Sequence, residues 1–399
     1  MGILARVAIA AACVVVLALA FVVRGRFGRD AVFVIDHGGT YSGSWESDDA
    51  DKPCVRIATA EPVVIENASL RGRGNLIVSR EHQAKITIRN VRAVDVNPNV
   101  EGKSAGRFCD IERFASVTIE NCSMENTGGI YLLDYEGNRT ASETVRILRN
   151  RAHNINGRRS DGHGGYGSGK SLVQFAQLDK VRHAAGIEIA WNEVINDPGQ
   201  SAVEDNISIY LSSGTKESPI RIHDNFIRGA YPIDPLKHDY SGGGIMLGDG
   251  VSDQGTENDS GFVIAEKNQV LDTTNYGIAI SAGHDCQIVA NRIVSAGMLE
   301  NGKPIGAQNV GAYVWDSYKA GKTRFYRNMG RNNLIGWVNK DGRNDWWTPD
   351  DDGWENNTRW ADPITRKVYD HEWDRWQDKL KAAQISIGPT SDAVTQPSR

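Results

Sequence analysis

The sequence predicts an all-β protein: a solenoid of short strands stacked in coils, followed by a short helical segment rich in Trp. Three observations predict this fold class. A strand phrase that ends in Asn recurs nine times, and a second group of short strands, most of them opening with Gly, alternates with it. Six of the ten Trp lie after residue 340, where the repeated strands end.

The Asn phrase is an apolar–x–apolar strand that ends in an amide, as in IRIHDNFI at 220–227. Successive copies are 23 to 43 residues apart, and the shortest interval occurs twice. Such spacing is typical of coils that share a core and differ in their loops. An Asn that points inward at a tight bend can hydrogen-bond the backbone groups of the turn and the equivalent Asn one coil away. We therefore expect an amide ladder of Asn67, Asn90, Asn121, Asn150, Asn192, Asn225, Asn268, Asn291 and Asn328.

The second strands alternate with a period of two, which predicts one face in the core and one in solvent. They span 129–134, 172–177, 206–211, 244–249, 277–282 and 311–316. The side chains expected to point outward are Tyr131, Leu133, Gln174, Ala176, Ser208, Tyr210, Met246, Gly248, Ala279, Ser281, Tyr313 and Trp315. Aromatic faces stack on sugar rings and polar groups bind hydroxyls, so this surface is expected to bind a polysaccharide. Its expected contacts are Tyr131, Gln174, Tyr210, Tyr313 and Trp315.

Two or three short strands per coil, strands led by Gly and an Asn at the turn resemble the right-handed parallel β-helix of the pectin-lyase-like superfamily. The resemblance covers residues 31–340 and implies a right-handed parallel β-helix solenoid. That fold carries several enzymes and some binding proteins, so it does not by itself imply an activity.

Residues 1–30 differ from the rest of the chain. Arg6 precedes 17 uncharged, mostly apolar residues at 7–23, and three more Arg follow before residue 30. This pattern indicates a secretory signal peptide or an uncleaved membrane anchor. We expect an exported protein, periplasmic or extracellular. It would contact a membrane only through residues 7–23, if these remain uncleaved and anchor it to the inner membrane.

The net charge limits the classes of binding partner, and the cysteine count bears on whether disulfides form. Without the four Arg of residues 1–29 the chain keeps 41 basic against 50 acidic residues, a formal net charge of −9. This argues against nucleic acid and anionic membranes as partners. The even count of Cys54, Cys109, Cys122 and Cys286 permits disulfides in an exported chain, although buried thiols are the interpretation we favour.

The C-terminal segment changes in character. Residues 364–383 place Val368, Trp373, Trp376 and Leu380 on one helical face, so residues 341–384 are expected to form a Trp-rich helical cap over the edge of the last coil. Residues 385–399 are expected to be a disordered tail.

The catalytic candidates lie at the ends of the second strands. Asp249 and Asp316 each end such a strand, which would place them two coils and about 10 Å apart. That separation is near the upper end for the two carboxyl groups of an inverting glycosidase. His284 and Asp285 would lie between them as further acid–base candidates. The alternative for each Asp is a turn residue that binds its own backbone.

Two insertions supply further candidates. The Gly-rich segment 157–170 carries Asp161 and His163 as a titratable pair, and Arg158 and Arg159 as cations for an acidic sugar. Its Gly-His-Gly is similar to that of polygalacturonases, but the other motifs of that family are not found. The insertion at 231–244 brings Tyr240 to the same face as a substrate contact.

The sequence therefore predicts a protein that cleaves glycosidic bonds of a polysaccharide, with hydrolysis favoured over elimination. The alternatives are a lyase or epimerase acting on a uronic-acid polymer, and a non-catalytic glycan-binding envelope protein. Hydrolysis requires no cofactor. A lyase would need Ca²⁺ or a basic side chain to neutralise the uronate, and the sequence shows no dedicated Ca²⁺ cage.

Overall fold

The computed structural model describes residues 31–237, 239, 241–306 and 309–390. Within them the chain winds through eleven coils, each of which contributes one strand to each of three long parallel sheets. The strands are numbered in chain order. This architecture is a parallel β-helix, which confirms the predicted fold class.

Sheet 1 contains eleven strands: β1 (Phe33–Ile35), β4 (Val55–Ile57), β7 (Ile77–Ser79), β10 (Cys109–Glu112), β13 (Ile130–Leu133), β18 (Ala176–Asp179), β21 (Asp205–Tyr210), β24 (Gly243–Asp249), β27 (Tyr276–Ile280), β30 (Val310–Val314) and β34 (Trp346–Trp347). Sheet 2 contains β2 (Gly39–Tyr41), β5 (Val63–Glu66), β8 (Ala84–Arg89), β11 (Phe114–Glu120), β14 (Val145–Leu148), β19 (Glu188–Ala190), β22 (Ile220–His223), β25 (Gly261–Glu266), β28 (His284–Val289), β31 (Met329–Arg331) and β35 (Trp354–Glu355).

Sheet 3 contains β3 (Ser44–Ser47), β6 (Ser69–Gly72), β9 (Arg92–Asp95), β12 (Ser123–Glu125), β15 (Arg151–His153), β20 (Glu193–Ile195), β23 (Phe226–Ala230), β26 (Gln269–Thr273), β29 (Arg292–Ser295) and β32 (Leu334–Asn339), with β33 (Gly342–Arg343) and β36 (Thr358–Arg359) beside the last of these. A separate hairpin joins β16 (Arg158–Ser160) to β17 (Tyr166–Lys170), a 3₁₀ turn spans Thr256–Asn258, and α1 spans Lys367–Ala383. The coils thus run to Arg359, beyond the boundary expected at residue 340.

The core is a stack of like side chains. Ile111, Leu132, Leu178 and Ile209 follow one another in register across four coils of sheet 1, and none of them is exposed. Each buried aliphatic side chain contributes about 1.5–3 kcal/mol. The cysteines Cys54, Cys109, Cys122 and Cys286 belong to this core as free thiols.

The corner between sheets 2 and 3 carries the amide ladder. Each buried Asn donates to the side-chain oxygen of the next coil and to a carbonyl of the preceding one: Asn225 Nδ2 is 2.9 Å from Asn268 Oδ1 and 2.9 Å from the Ile189 oxygen. The ladder contains Asn150, Asn192, Asn225, Asn268, Asn291, Asn333 and Asn357.

The expected membership of the ladder was wrong at four positions. Asn67, Asn90 and Asn121 lie one residue earlier, at the left-handed turn residue with φ of 50 to 55°, a conformation that Asn tolerates well. Ala68, Val91 and Cys122 fill the ladder position in those coils. Asn328 binds the Cys286 amide instead, at a corner next to sheet 1.

The corner between sheets 3 and 1 explains the leading glycines. A Cβ on Gly244 would lie 2.2 Å from the Gly277 oxygen, and one on Gly277 would lie 2.5 Å from the Gly311 oxygen. These positions point into the coil where the chain bends, so only a residue without a side chain fits. The preceding residues of the same coils, Gly243 and Tyr276, point outward.

The long insertions are confined to the two corners that flank sheet 1. The corner between sheets 2 and 3 has two residues in every coil, whereas segments such as 154–175, 231–237, 250–260 and 315–328 lie beside sheet 1. The insertions therefore form walls on both sides of the outer face of sheet 1. We call this walled face the groove.

The helical cap lies on the outer face of sheet 3. Trp376 is fully buried against Trp191 and Phe226, and its indole Nε1 donates to Glu193 Oε2 at 3.0 Å. Residues 384–390 then run back across the early coils, where the Ser386 oxygen accepts from Asn121. The first part of the segment expected to be a tail is thus docked, and residues 391–399 lie outside the described residues.

Candidate active site in the groove

The floor of the groove is formed by outward side chains of neighbouring coils. Ser208, Met246, Ala279 and Tyr313 follow one another in register from coil 7 to coil 10. Farther along the same strands Tyr210 is in register with Asp249, after a bulge. A bulge re-aims the side chains beyond it, and here it turns Asp249 outward.

Three carboxyl groups gather at this floor: Glu204, Asp205 and Asp249. Burial, together with the charges of Glu204 and Asp249, raises the pKa of Asp205 to about 8, against the effect of a hydrogen bond from Tyr276. Burial also raises the pKa of Glu204, to which Asp239 and Asp249 add. Such a cluster cannot be fully ionised at neutral pH, so it holds a proton on Asp205.

The position of Asp205 depends on a missing side chain. Tyr276 of coil 9 donates to Asp205 Oδ1 of coil 7. The two groups meet over Gly243 of coil 8, where a Cβ would lie 2.2 Å from Asp205 Oδ1 and 2.4 Å from Tyr276 Cζ. Gly243 thus makes room for this pair, which is buried, with Asp205 8 % and Tyr276 3 % exposed.

Asp249 is the electrostatic centre of the site. Its Oδ1 accepts hydrogen bonds from the Tyr318 hydroxyl at 2.7 Å and the Gly250 amide at 3.0 Å. Its negative charge contributes to the raised pKa of a surrounding set of groups: Glu204, Asp205, Tyr210, Tyr276, Tyr313 and Tyr318. Asp249 therefore acts on both acids whose pKa is raised, Glu204 and Asp205.

Aromatic rings continue the site toward the last coils. Tyr313 packs edge-on against Tyr276 at 5.3 Å, and its hydroxyl is 2.7 Å from Ser281 Oγ. Trp315 and Trp347 lie 5.0 Å apart, with 39 % and 47 % of their surfaces exposed. Exposed rings beside an acid cluster suit the apolar faces of sugars.

The loops of the corner between sheets 3 and 1 reach the acids. The Ser241 hydroxyl donates to Glu204 Oε2 at 3.0 Å. Lys170, at the end of the hairpin, pairs with Asp239 at 3.1 Å, and its charge lowers the pKa of Glu204 against the larger effect of burial. The hairpin predicted as an active-site loop thus contributes Lys170, which sequence reasoning did not single out.

Asp316 lies in the turn that follows β30. Its Oδ1 accepts from the Ala320 amide at 2.9 Å and its Oδ2 from the Gly321 amide at 2.8 Å. Both oxygens therefore hold the turn that carries Tyr318 to Asp249. This geometry is that of the structural alternative considered above for Asp316.

His284 and Asp285 begin β28 and so belong to sheet 2, beyond the corner. His284 stacks on Tyr326 at 4.8 Å and pairs with Asp285 at 2.7 Å. Asp285 is bound in turn by Arg327 at 2.6 Å, and these partners lower its pKa against the effect of burial. The pair is engaged with its own neighbours on sheet 2.

The candidate residues of the Gly-rich hairpin do not lie together at one site. Asp161 accepts from the His163 and Gly165 amides within its own turn, and those bonds lower its pKa. Arg158 packs over Tyr166 at 4.1 Å and donates to carbonyls at 199 and 200. Arg159 stays exposed at a separate cavity of the groove.

Of the remaining residues predicted to contact the substrate, some lie on the floor of the groove and others do not. Tyr131 lies on the floor, where its hydroxyl donates to Asp179 Oδ2 at 2.7 Å. Gln174 precedes β18 and is 4 % exposed, and Gln177 takes the outward position beside Tyr131. Tyr210 lies beside Asp249, Tyr313 and Trp315 were described above, and Tyr240 lies outside the described residues.

Glu204, Asp205, Tyr276 and Tyr318 also belong to the site, although the sequence analysis assigned no specific role to any of them. At the corner before the second strand, Asn206 or the equivalent glycine points inward, and so does the residue after it. Two inward residues in succession break the alternation, so alternation alone does not reveal that Asp205 points outward. The signal in the sequence is the pair of acids directly before a second strand, in VEDNIS at 203–208.

Within the described ranges, no group of three or more His, Cys, Asp or Glu side chains is arranged to hold a metal ion. In the same part of the chain, no helix has the length and apolar character needed to cross a bilayer; residues 7–23 lie outside it. Fold and site together define a parallel β-helix protein with an acidic, aromatic groove. No model of a known protein family and no curated protein matches the sequence.

Proposed function

We propose that the protein is a carbohydrate-active enzyme that cleaves glycosidic bonds of a polysaccharide lying along the groove, by hydrolysis. The observation that carries the proposal is the pairing of unlike carboxyl groups. Asp205, with a pKa of about 8, keeps its proton at neutral pH, and Asp249, whose charge contributes to that shift, accepts two hydrogen bonds beside it. Glycoside hydrolysis needs a protonated carboxyl group and a second carboxyl group that acts as a base.

In the proposed reaction Asp205 donates its proton to the glycosidic oxygen as the bond from that oxygen to the anomeric carbon breaks. Asp249 removes a proton from a water whose oxygen bonds to the anomeric carbon. The products are one new reducing end and one new hydroxyl, and the proton on Asp249 returns to Asp205 through solvent. Glu204 keeps Asp205 protonated through its negative charge.

Asp249 thus keeps the catalytic role expected from sequence, while Asp205 replaces Asp316, whose oxygens are occupied by backbone amides. The aromatic row from Tyr313 to Trp347 would bind the sugar rings on one side of the cleaved bond. The loop residue Ser241 would hold Glu204 in place through its hydrogen bond, and Lys170, paired with Asp239, would act on Glu204 through its charge.

The lyase or epimerase alternative requires a cation beside a uronate carboxylate. Arg158 is engaged with backbone carbonyls, so Lys170 and Arg159 remain for that role. The binding-protein alternative needs only the aromatic row. Hydrolysis is favoured because elimination needs a cation beside the uronate at the cleaved bond, whereas Lys170 is paired with Asp239 and Arg159 lines the separate cavity over the first coils.

We also propose that the protein is exported and works in the periplasm or outside the cell, with residues 7–23 as signal or anchor. The support is the sequence pattern of that segment.

The test is a screen of the full-length chain and its Asp249→Asn variant against neutral and acidic polysaccharides. Hydrolysis predicts new reducing ends without ultraviolet absorbance of unsaturated sugars, and their loss in the variant. Unsaturated ends would establish elimination instead. Retention on a glycan by both proteins, with no product from either, would leave a binding protein and overturn the enzymatic proposal.

A further inference from the structure

A cavity lies over the first coils, at the end of the groove opposite the acid cluster. It has a volume of about 510 Å³. Arg56 and Val78 of sheet 1 form its floor, residues 50–53 and 102–106 line its sides, and Arg159 and Ser171 close it from the hairpin. The small residues around it leave its polar and cationic groups accessible.

Four cationic side chains line this cavity: Lys52, Arg56, Lys103 and Arg159. Lys52 pairs with Asp49 at 3.0 Å, and Lys103 pairs with Asp51. Arg56 and Arg159 are exposed, and neither has a carboxylate partner among the residues that the structure describes. Arg159 Nε donates only to the neutral Ser171 hydroxyl among its described side-chain contacts, at 3.4 Å. Two guanidinium groups without a described carboxylate partner therefore line one cavity, in a chain whose formal net charge, without residues 1–29, is −9.

These two arginines come from distant parts of the chain. Arg56 belongs to coil 2, whereas Arg159 belongs to the hairpin inserted after coil 5. The hairpin folds back on the early coils, where the Ser160 oxygen accepts from the Gly102 amide at 2.9 Å and the Gly165 oxygen accepts from Asn97 at 2.7 Å. These contacts fix Arg159 over the cavity.

The same hairpin joins the cavity to the acid cluster. Lys170 on its second strand pairs with Asp239 and acts on Glu204, as described above. Arg56 and Asp205 are five coils apart on one sheet, which is about 24 Å along the solenoid. A polymer lying in the groove would span both places.

We propose that this cavity is a subsite for an anionic group, a carboxylate or a sulfate ester, carried by the polysaccharide several sugar units from the cleaved bond. Guanidinium groups recognise such groups through paired, charge-assisted hydrogen bonds. The identity of the polymer as a polysaccharide rests on the proposed function; the anion preference rests on Arg56 and Arg159. A nucleic acid would carry phosphates past the negative charges of Glu204 and Asp249, which repel them.

The experiment measures binding rather than cleavage. The full-length chain, its Asp249→Asn variant and a double variant Arg56→Ala/Arg159→Ala would be titrated with dextran sulfate, polygalacturonate, neutral dextran and a single-stranded oligonucleotide. Arg146→Ala is the matched control, since Arg146 is an exposed arginine of β14 on sheet 2. Circular dichroism would verify that all variants are folded.

We expect at least one anionic polysaccharide to bind more tightly than neutral dextran, with affinity reduced about tenfold or more in the double variant and unchanged in Arg146→Ala. The polymer that shows the loss identifies the anionic group as sulfate or carboxylate. Equal binding of neutral and anionic dextrans, equal affinities of the double variant and Arg146→Ala, or tightest binding of the oligonucleotide would overturn the inference. Cleavage that fails while this binding persists would refute the proposed function alone.

Discussion

The phenol of Tyr276 in coil 9 donates a hydrogen bond to the carboxyl group of Asp205 in coil 7, across the bare backbone of Gly243 in coil 8. The parallel register of sheet 1 makes this contact between residues 71 positions apart. It lowers the pKa of Asp205, which burial and the charge of Glu204 hold high. The protonation of the proposed acid is thus set by three neighbouring coils.

Replacing Tyr276 by Phe should raise the pKa of Asp205. The hydrogen bond from Tyr276 favours the carboxylate, so its loss leaves the effects of burial and of Glu204 less opposed. Carbon NMR of aspartate carboxyl groups, assigned with Asp205→Asn, would report the shift without a substrate. Tyr313→Phe is the control, because the Tyr313 hydroxyl contacts Ser281. An Asp205 titration that moves to lower pH would contradict the arrangement.

Asp205 should make the protein less stable as the pH rises from about 4 to about 8. The folded protein holds its proton up to about pH 8, whereas the unfolded chain releases it near pH 3.9. In this window the unfolded state binds fewer protons, so the free energy of unfolding contributed by Asp205 falls with increasing pH. At lower pH both states are protonated and the effect disappears.

Asp205→Asn removes this dependence while keeping an oxygen that accepts from Tyr276. Urea denaturation at pH 5 and pH 8 should therefore show the variant gaining stability relative to the natural protein as the pH rises. Asp341→Asn, at an exposed turn, is the control. If both variants kept the pH dependence of the natural protein, Asp205 would not be the buried acid described.

Asp249 and Asp316 should respond differently to amidation. We expect Asp249→Asn to reduce turnover by roughly 10²–10⁴-fold with little change in stability, as for a general base. Asp316→Asn should instead lower stability by about 1–2 kcal/mol, because an amide has one accepting oxygen for the two backbone donors of its turn. Product formation and urea denaturation measured on both variants would separate the roles, and equal losses of turnover would restore the pair expected from sequence.

The sequence revealed the solenoid because its signals are local and repeated. Alternating strands and the amides from Asn150 to Asn291 can be read without knowledge of contacts. The direction of the side chains at the corners could not be read from the sequence in this way, because Asn67 and Asn150 occupy positions one residue apart in equivalent turns. The same offset hid Asp205, whose outward direction depends on the bend at the next residue.

The turn-holding role of Asp316 could not be predicted from the sequence, for a different reason. An Asp after a strand can point to the groove or bind its own turn, and only the contacts with Ala320 and Gly321 distinguish the two. Likewise, alternation identified the aromatic strand 311–316, but the pairing of Trp315 with Trp347 required the eleventh coil, which the sequence analysis had assigned to the cap.

Trp347 provides a test of the groove that is independent of acid–base chemistry. Its ring is 47 % exposed and packs on Trp315, so Trp347→Ala should leave the melting temperature nearly unchanged. Loss of one stacking surface should weaken binding of the polysaccharide about two- to twelvefold, as expected for about 0.5–1.5 kcal/mol of aromatic contact. Trp376→Ala provides the opposite case, since it removes a fully buried ring from the cap and should cost about 3–5 kcal/mol of stability. Titration and thermal unfolding of both variants check the contrast; unchanged polysaccharide affinity in Trp347→Ala would remove the aromatic row from the binding site.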